Sequence, residues 1–223
     1  YENSLAKDSG KMITEERRTI LDKESISTYI STCQSTIWPS IRASGGSVLC
    51  MLNGMIGSPA SHMLQMTSYE DTESWQTGQG AWTTDRENLV KEETVRILRP
   101  VSSRPKKTLP PEDRRAVYGY RRFFISPTDL SEFVTCSEEG IWPRIESMGA
   151  CILGLWTTAS SSSPLEVVLL TGYDSPTHWD ETRFYNAREK VADTLWDRED
   201  ELRKRRVEIT QNTWVELMRS IDF

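Results

Sequence analysis

Arg17 and Arg121 stand 104 positions apart, each the first of an Arg-Arg pair within a run of polar, β-branched and aromatic residues. The runs, Ile13–Leu21 and Val117–Ile125, read as strands. An arginine half-buried on a strand is uncommon. Such a guanidinium could bind a carboxylate or stabilise an enolate; it could also close an ion pair between sheets or sit at a solvent-facing strand end. Glu15 lies two residues before Arg17, hence on the same strand face. It is placed to be that arginine's partner or a general base. Gly119 occupies this place in the second run, so the two sites are chemically unequal.

Other candidates surround this pair. Tyr69 and Tyr173 close two apolar runs, and either hydroxyl could serve a ligand oxygen or be satisfied at the core edge. Gln65 and Leu169 each precede their tyrosine by the same interval. Met51, Met55, Met63 and Met66 could line an adaptable apolar pocket or simply pack. His62 and His178 are the two ordinary acid–base groups near neutral pH, both close to element ends. The expected catalytic set is Glu15, Arg17, Gln65 and Tyr69. The expected ligand-binding set is Arg121, Trp156, Tyr173, Met51 and Met63. The chain lacks G-x-S-x-G, P-loop, G-x-G-x-x-G and H-E-x-x-H patterns, which argues against the hydrolases, nucleotide binders and metalloproteases they mark.

The elements that must position these residues come in duplicate. A shift of 104 places Ile37-Trp38-Pro39 on Ile141-Trp142-Pro143, and also aligns Gly45 with Gly149, Tyr69 with Tyr173 and Trp75 with Trp179. After its first strand each copy shows a helical apolar pattern. Pro39 and Pro143 should kink or restart that helix, and Gly45 and Gly149 suit left-handed C-caps. Ser126, followed by Pro127, is the expected N-cap in the second copy. Strands follow at 47–53 and His62–Tyr69, and at 151–157 and Leu165–Tyr173. A second helix opens near Asp71 and near Ser175, and a fourth strand lies at 94–98 and 213–218. The second copy carries about fifteen extra residues in the charged stretch 197–206, which reads as a solvated helix.

This β-α-β-β-α-β order predicts an α+β chain of two tandem ferredoxin-like units. Their open sheet faces would cover one another as a pseudo-dimeric α/β barrel around a cavity. The expected division is a polar tail at 1–12, the first unit at 13–99, a proline-bearing linker at 100–115 and the second unit at 116–223. A net charge of −6 from interspersed charges argues against a nucleic-acid partner. With 37% apolar and 27% charged residues, the chain has an ordinary globular balance. Four scattered cysteines read as buried thiols rather than a metal site. No apolar run spans a bilayer, so the expected location is cytoplasmic, or mitochondrial if a targeting segment has been removed.

Residues 118–127 (YGYRRFFISP), followed by Leu130 and Phe133, resemble the opening strand and helix of NIPSNAP-family domains. Residues 165–175 (LEVVLLTGYDS) are similar to the family's third strand and its exit, and residues 14–20 (TEERRTI) are a weaker version of the opening. The resemblance implies the dimeric α/β-barrel superfamily, whose members include cofactor-free monooxygenases, polyketide cyclases, isomerases and dehalogenases. It also implies mitochondrial association and partner binding for the eukaryotic NIPSNAP proteins. Third strands of the family often carry a histidine, where this chain has Leu169 and Gln65, so a histidine mechanism does not carry over.

The leading expectation is a cofactor-independent enzyme of the isomerase, cyclase, lyase or monooxygenase kind. It would act on a small, largely apolar organic molecule in the barrel cavity, by proton transfer or rearrangement in a biosynthetic pathway. Neither cofactor nor metal is called for, and a homodimer of such chains is compatible with this reading. The alternatives are a non-catalytic NIPSNAP-type scaffold and a haem-binding relative using His62 or His178. A roomy lumen would favour the enzyme, and a lumen packed with Met and Leu the scaffold.

Overall fold

The computed structural model describes residues 12–82, 85–160 and 162–222; apart from Met12, the expected tail lies outside them. The two arginine-bearing runs are strands β1 (Ile13–Leu21) and β5 (Val117–Ile125). β1 leads into α1 (Ile26–Thr32), a wide π turn (Cys33–Ile37) and α2 (Trp38–Ala43). Pro39 explains the wide turn. It has no N–H to give to the preceding turn, so the helix loosens and restarts with proline in its first turn, where donors are unpaired anyway. Gly45 then ends α2 at φ +85°, in the left-handed region. β2 (Ser47–Ile56) and β3 (His62–Tyr69) follow. Next come α3 (Thr72–Gly78), opened by an Asp71–Ser74 capping box, and β4 (Val90–Pro100).

The second half repeats the order. After β5 come α4 (Leu130–Thr135), a π stretch (Cys136–Ile141) and α5 (Trp142–Ser147), ended by Gly149 at φ +92°. Ser126 holds the N-cap position, but its hydroxyl meets Thr128 rather than a backbone N–H. β6 (Cys151–Thr158) and β7 (Leu165–Tyr173) precede α6 (Pro176–Glu181), α7 (Phe184–Ala187), the 16-residue α8 (Asp193–Glu208) and β8 (Thr210–Ser220).

The eight strands close into one antiparallel barrel in the order β1-β3-β2-β8-β5-β7-β6-β4. Two seams join the halves, β2 to β8 and β4 to β6. Register matches across the halves: Arg17 pairs with Gln65 and Val95, while Arg121 pairs with Leu169 and Val215. Adjacent side chains on a strand point to opposite faces. Glu16, Leu64, Met66, Leu98, Tyr118, Tyr120, Trp156, Val168 and Leu170 thus turn into the lumen, whereas Glu15, Arg17, Gln65 and Arg121 turn outward beneath the helices.

The lumen corrects one expectation, because side chains fill it. Its apolar cluster draws on both halves, and Leu109, from the connection between them, packs into it too. The rest of the lumen is ionic. Arg96 donates to Glu16 (2.8 Å), Glu166 (2.9 Å) and the Tyr120 hydroxyl (3.0 Å), and Arg122 holds Glu166 at 2.6 Å. Charges enclosed by a closed barrel must be paired, and here they link the halves across the interior. Trp156, expected to stack on a ligand, is fully buried there and donates to Thr14 at 2.9 Å. Two further cores lie outside the barrel, one under the helices of each half. No helix among the described residues is long and apolar enough to cross a membrane.

Candidate functional site

The outer face of the first half is closed by ion pairs. Arg17 Nε donates to Glu15 (2.9 Å), one terminal nitrogen to Glu93 and the other to Gln79 (3.2 Å), while the guanidinium lies 3.9 Å from the centre of the Trp82 ring. Glu15 also accepts from Trp75 Nε1 and Gln79 Nε2, each at 2.7 Å. Arg86 grips Glu93 with both terminal nitrogens, at 2.5 and 2.8 Å. Burial pushes the Glu93 carboxyl upward, but Arg86 and Arg17 more than reverse this and hold it below the usual carboxylate range. Gln65 accepts from Trp38 Nε1 (2.8 Å) and donates to Thr67 (2.9 Å). Tyr69, Met51 and Met63 are packed among the helices of this half. The structure therefore brings Glu15 and Arg17 together, but leaves neither them nor Gln65 a free group for a ligand.

The matching face of the second half is open. A cleft of about 580 Å³ lies between the outer face of β5, β7 and β8 and helices α5 to α8. Arg121, Leu169, Thr171, Tyr173, Trp179, Arg183, Phe184, Arg206 and Thr213 are among its lining residues. Every partner that Arg17 has is replaced around Arg121. Gly119 stands for Glu15, and Arg183 for Gln79, at the same 104-residue shift. The pairing register sets Thr213 where Glu93 lies, since Glu93 faces Thr19 and Thr213 faces Phe123. Arg121 makes no ion pair or hydrogen bond among the described residues, and its Nε is buried without a partner. Burial and then the Arg183 charge lower its pKa.

Arg206, on the last turn of α8, completes the arrangement. It matches Arg86, because each stands four residues before its strand begins, at Thr210 and Val90. It lies over Phe123 and Phe133 at 5.0 and 5.4 Å and donates to Ser137 at 3.1 Å, with no carboxylate ion pair among the described residues. Burial first, and then the Arg121 guanidinium, push it down to about 9. Two other arginines of the cleft are compensated. Arg144 is held by Glu199, and Arg203 meets Asp200 at 3.2 Å while stacking 3.9 Å over Phe184. Helix α8 thus corrects the expectation of a wholly solvated helix. Lys204 and Arg205 face solvent, but Glu199 is buried and Arg203 and Arg206 line the cleft.

Tyr173 also lines the cleft, and burial raises its pKa, so the phenol stays a proton donor at neutral pH. Trp142 Nε1 has lost the acceptor that Gln65 provides for Trp38, because Leu169 stands in its place, and it is buried unpaired. His178 is engaged at both ring nitrogens. Nδ1 accepts from the Asp174 N–H (3.1 Å), which leaves Nε2 to donate to the Met148 carbonyl (2.8 Å). His62 sits at the start of β3, half-buried. The cysteines are free thiols, three of them buried.

Among solved structures, a candidate monooxygenase from Lactobacillus acidophilus aligns over 94% of both chains with 11% identity and a TM-score of 0.65. A candidate monooxygenase from Fusobacterium nucleatum aligns over 95% of this chain and 93% of its own, with 10% identity and a TM-score of 0.63. An anthrone oxidase-like protein aligns over 95% and 92%, with 10% identity and a TM-score of 0.56. The fold is that of the dimeric α/β barrels. A NIPSNAP domain protein from Burkholderia xenovorans matches 48% of this chain and 96% of its own at 24% identity, with a TM-score of 0.37. No family model and no curated protein matches.

Within this barrel fold, Arg121 and Tyr173 are the expected ligand-binding residues that share a cleft; Trp156, Met51 and Met63 lie elsewhere. Arg183, Arg206, Trp179 and Phe184 went unrecognised as site residues. One signal was present: at the 104-residue shift Gly119 stands in the place of Glu15, whereas the replacement of Glu93 by Thr213 shows only in the strand pairing.

Proposed function

We propose that this protein binds a small organic anion with a largely apolar body in the cleft of its second half. There it would stabilise negative charge on a carboxylate or enolate, as a cofactor-independent proton transfer or rearrangement requires. One observation carries this reading: Arg121 keeps the place of Arg17 but has lost all three of its polar partners. A partly buried cation without a counter-charge is costly, and an anionic ligand would remove that cost. Trp179, Phe184 and Phe123 offer the apolar walls, and 580 Å³ suits a ring with short substituents. The parallel order of elements further supports two ferredoxin-like units, 13–99 and 116–223, joined through 100–115.

The packed lumen favours a second reading, a non-catalytic binding protein. The cleft lining points the same way: its acid among the described residues, Glu199, is already held by Arg144. Titration of tryptophan fluorescence with aryl carboxylates tests both readings. Binding should be lost in Arg121→Gln, and exchange of the ligand's α-proton into deuterated solvent would distinguish catalysis from binding. Equal binding by wild type and Arg121→Gln would refute the proposed site.

A further inference from the structure

We infer that the ligand of this cleft is a dicarboxylate, and that the first half shows where its two carboxylates sit. The inference rests on the anion-binding reading above and deepens it. In the first half, two arginines hold two glutamates: Arg17 bridges Glu15 and Glu93, and Arg86 also holds Glu93. The charges of that face are balanced. In the second half both arginines persist, as Arg121 and Arg206, and both glutamates are gone. The two deletions are independent in the chain, one on β5 at Gly119 and one on β8 at Thr213.

The deleted carboxylates define two seats. The first lies above Gly119, where Glu15 in the other half receives an arginine Nε and an indole N–H. Here the corresponding donors are Arg121 Nε, which is buried and unpaired, and the Trp179 indole, with Arg183 beside them. Gly119 is not demanded by its backbone, since it is absent from the positive-φ positions. A Cβ built there would meet Tyr173, Val215 and Leu217 at 3.4 to 3.9 Å, ordinary contact distances. A larger residue would be tolerated; what glycine leaves is room. The second seat lies by Thr213, between Arg121 and Arg206, where Glu93 in the first half is shared by both arginines. Because one guanidinium serves both seats, the carboxylates must be only a few bonds apart, as in a substituted succinate.

Phenylsuccinate and 3-phenylpropionate differ by one carboxylate and make a matched pair of probes for calorimetric titration of the full chain. Phenylsuccinate should bind at least about tenfold tighter, the modest end of what a paired buried charge contributes. Gly119→Glu and Thr213→Glu, each filling one seat from within, should each bring phenylsuccinate down to the affinity of 3-phenylpropionate. The double variant should bind neither and should melt higher than wild type, because it rebuilds the first half's ion pairs. Equal affinity for the two probes overturns the inference, as does a Thr213→Glu variant that binds phenylsuccinate like wild type, or a double variant that melts lower. In those cases loss of binding in Arg121→Gln would still leave the single-anion cleft standing. If neither probe binds wild type, and Arg121→Gln changes only stability, both readings fall together.

Discussion

Removing Arg17 and removing Arg121 should have very unequal consequences, although the two occupy matching places. Arg17 is 4% exposed and its partner Glu15 is fully buried. Among the described residues, Arg17→Ala strips Glu15 of its only charged partner and Glu93 of one of two. Deleting one member of a buried ion pair costs roughly 3–5 kcal/mol. The lower end applies here, because Glu15 keeps its bonds from Trp75 and Gln79 and Glu93 keeps Arg86. About 3 kcal/mol in a chain of this length lowers Tm by roughly 6–12 °C. Arg121→Ala breaks no ion pair and removes a charge that burdens Arg206, so its effect should stay within about 1 kcal/mol of wild type. Denaturant titration at neutral pH, with unchanged m-values, is the measurement. If Arg121→Ala proves as destabilising as Arg17→Ala, then Arg121 is structurally paired and the open-cleft reasoning fails.

Two further outcomes follow from the ionic groups. Arg96→Ala should cost about 3 kcal/mol, since it leaves the lumenal Glu16 with Tyr120 and the longer ion pair to Arg18 at 3.5 Å; a double change to Glu16→Gln and Arg96→Met should recover much of that loss, and urea titration checks both. Glu93 and Glu166 titrate below the usual 4.5, because arginines outweigh the effect of burial. With folded pKa values depressed, the unfolded chain binds more protons as pH falls, so their contribution is intact above about 4.5 and lost on descending through the folded values. Stability against pH should therefore be level from 7 to about 5 and fall steeply below 4.5; a decline centred near pH 6 would point to another group.

The position of the cleft changes what the fold implies for chemistry. A barrel of two facing sheets suggests a central site, but large side chains meet in its middle, Trp156, Tyr118 and Tyr120 from one half and Met66, Leu64 and Leu98 from the other. The cleft around Arg121 lies instead between the sheet and the helices of the second half. The extra α8 takes part by carrying Arg206 and Arg203 to the rim, as the exposed Tyr185 and Val207 mark the mouth.

The sequence by itself determined the elements and their order. Matching Trp-Pro and glycine signals fall on restarted helices and left-handed caps, because proline and glycine act through their own backbone chemistry wherever they stand. Strands Ile13–Leu21, His62–Tyr69, Val117–Ile125 and Leu165–Tyr173 were legible from composition for the same local reason. The inequality of the halves was legible too, in Glu15 against Gly119. The direction of that inequality was not. Glu15 and Glu16 are neighbours, as are Arg17 and Arg18, yet one of each pair enters the helix–sheet layer and the other the lumen. In β7 every residue is buried, so alternation cannot tell the inner face from the outer. Closure of the barrel and the seating of the helices make that choice, because they decide which charges find counter-charges. Only the tertiary structure shows that the acids of the first half are already taken, and that Arg121 and Arg206 pair with none among the described residues.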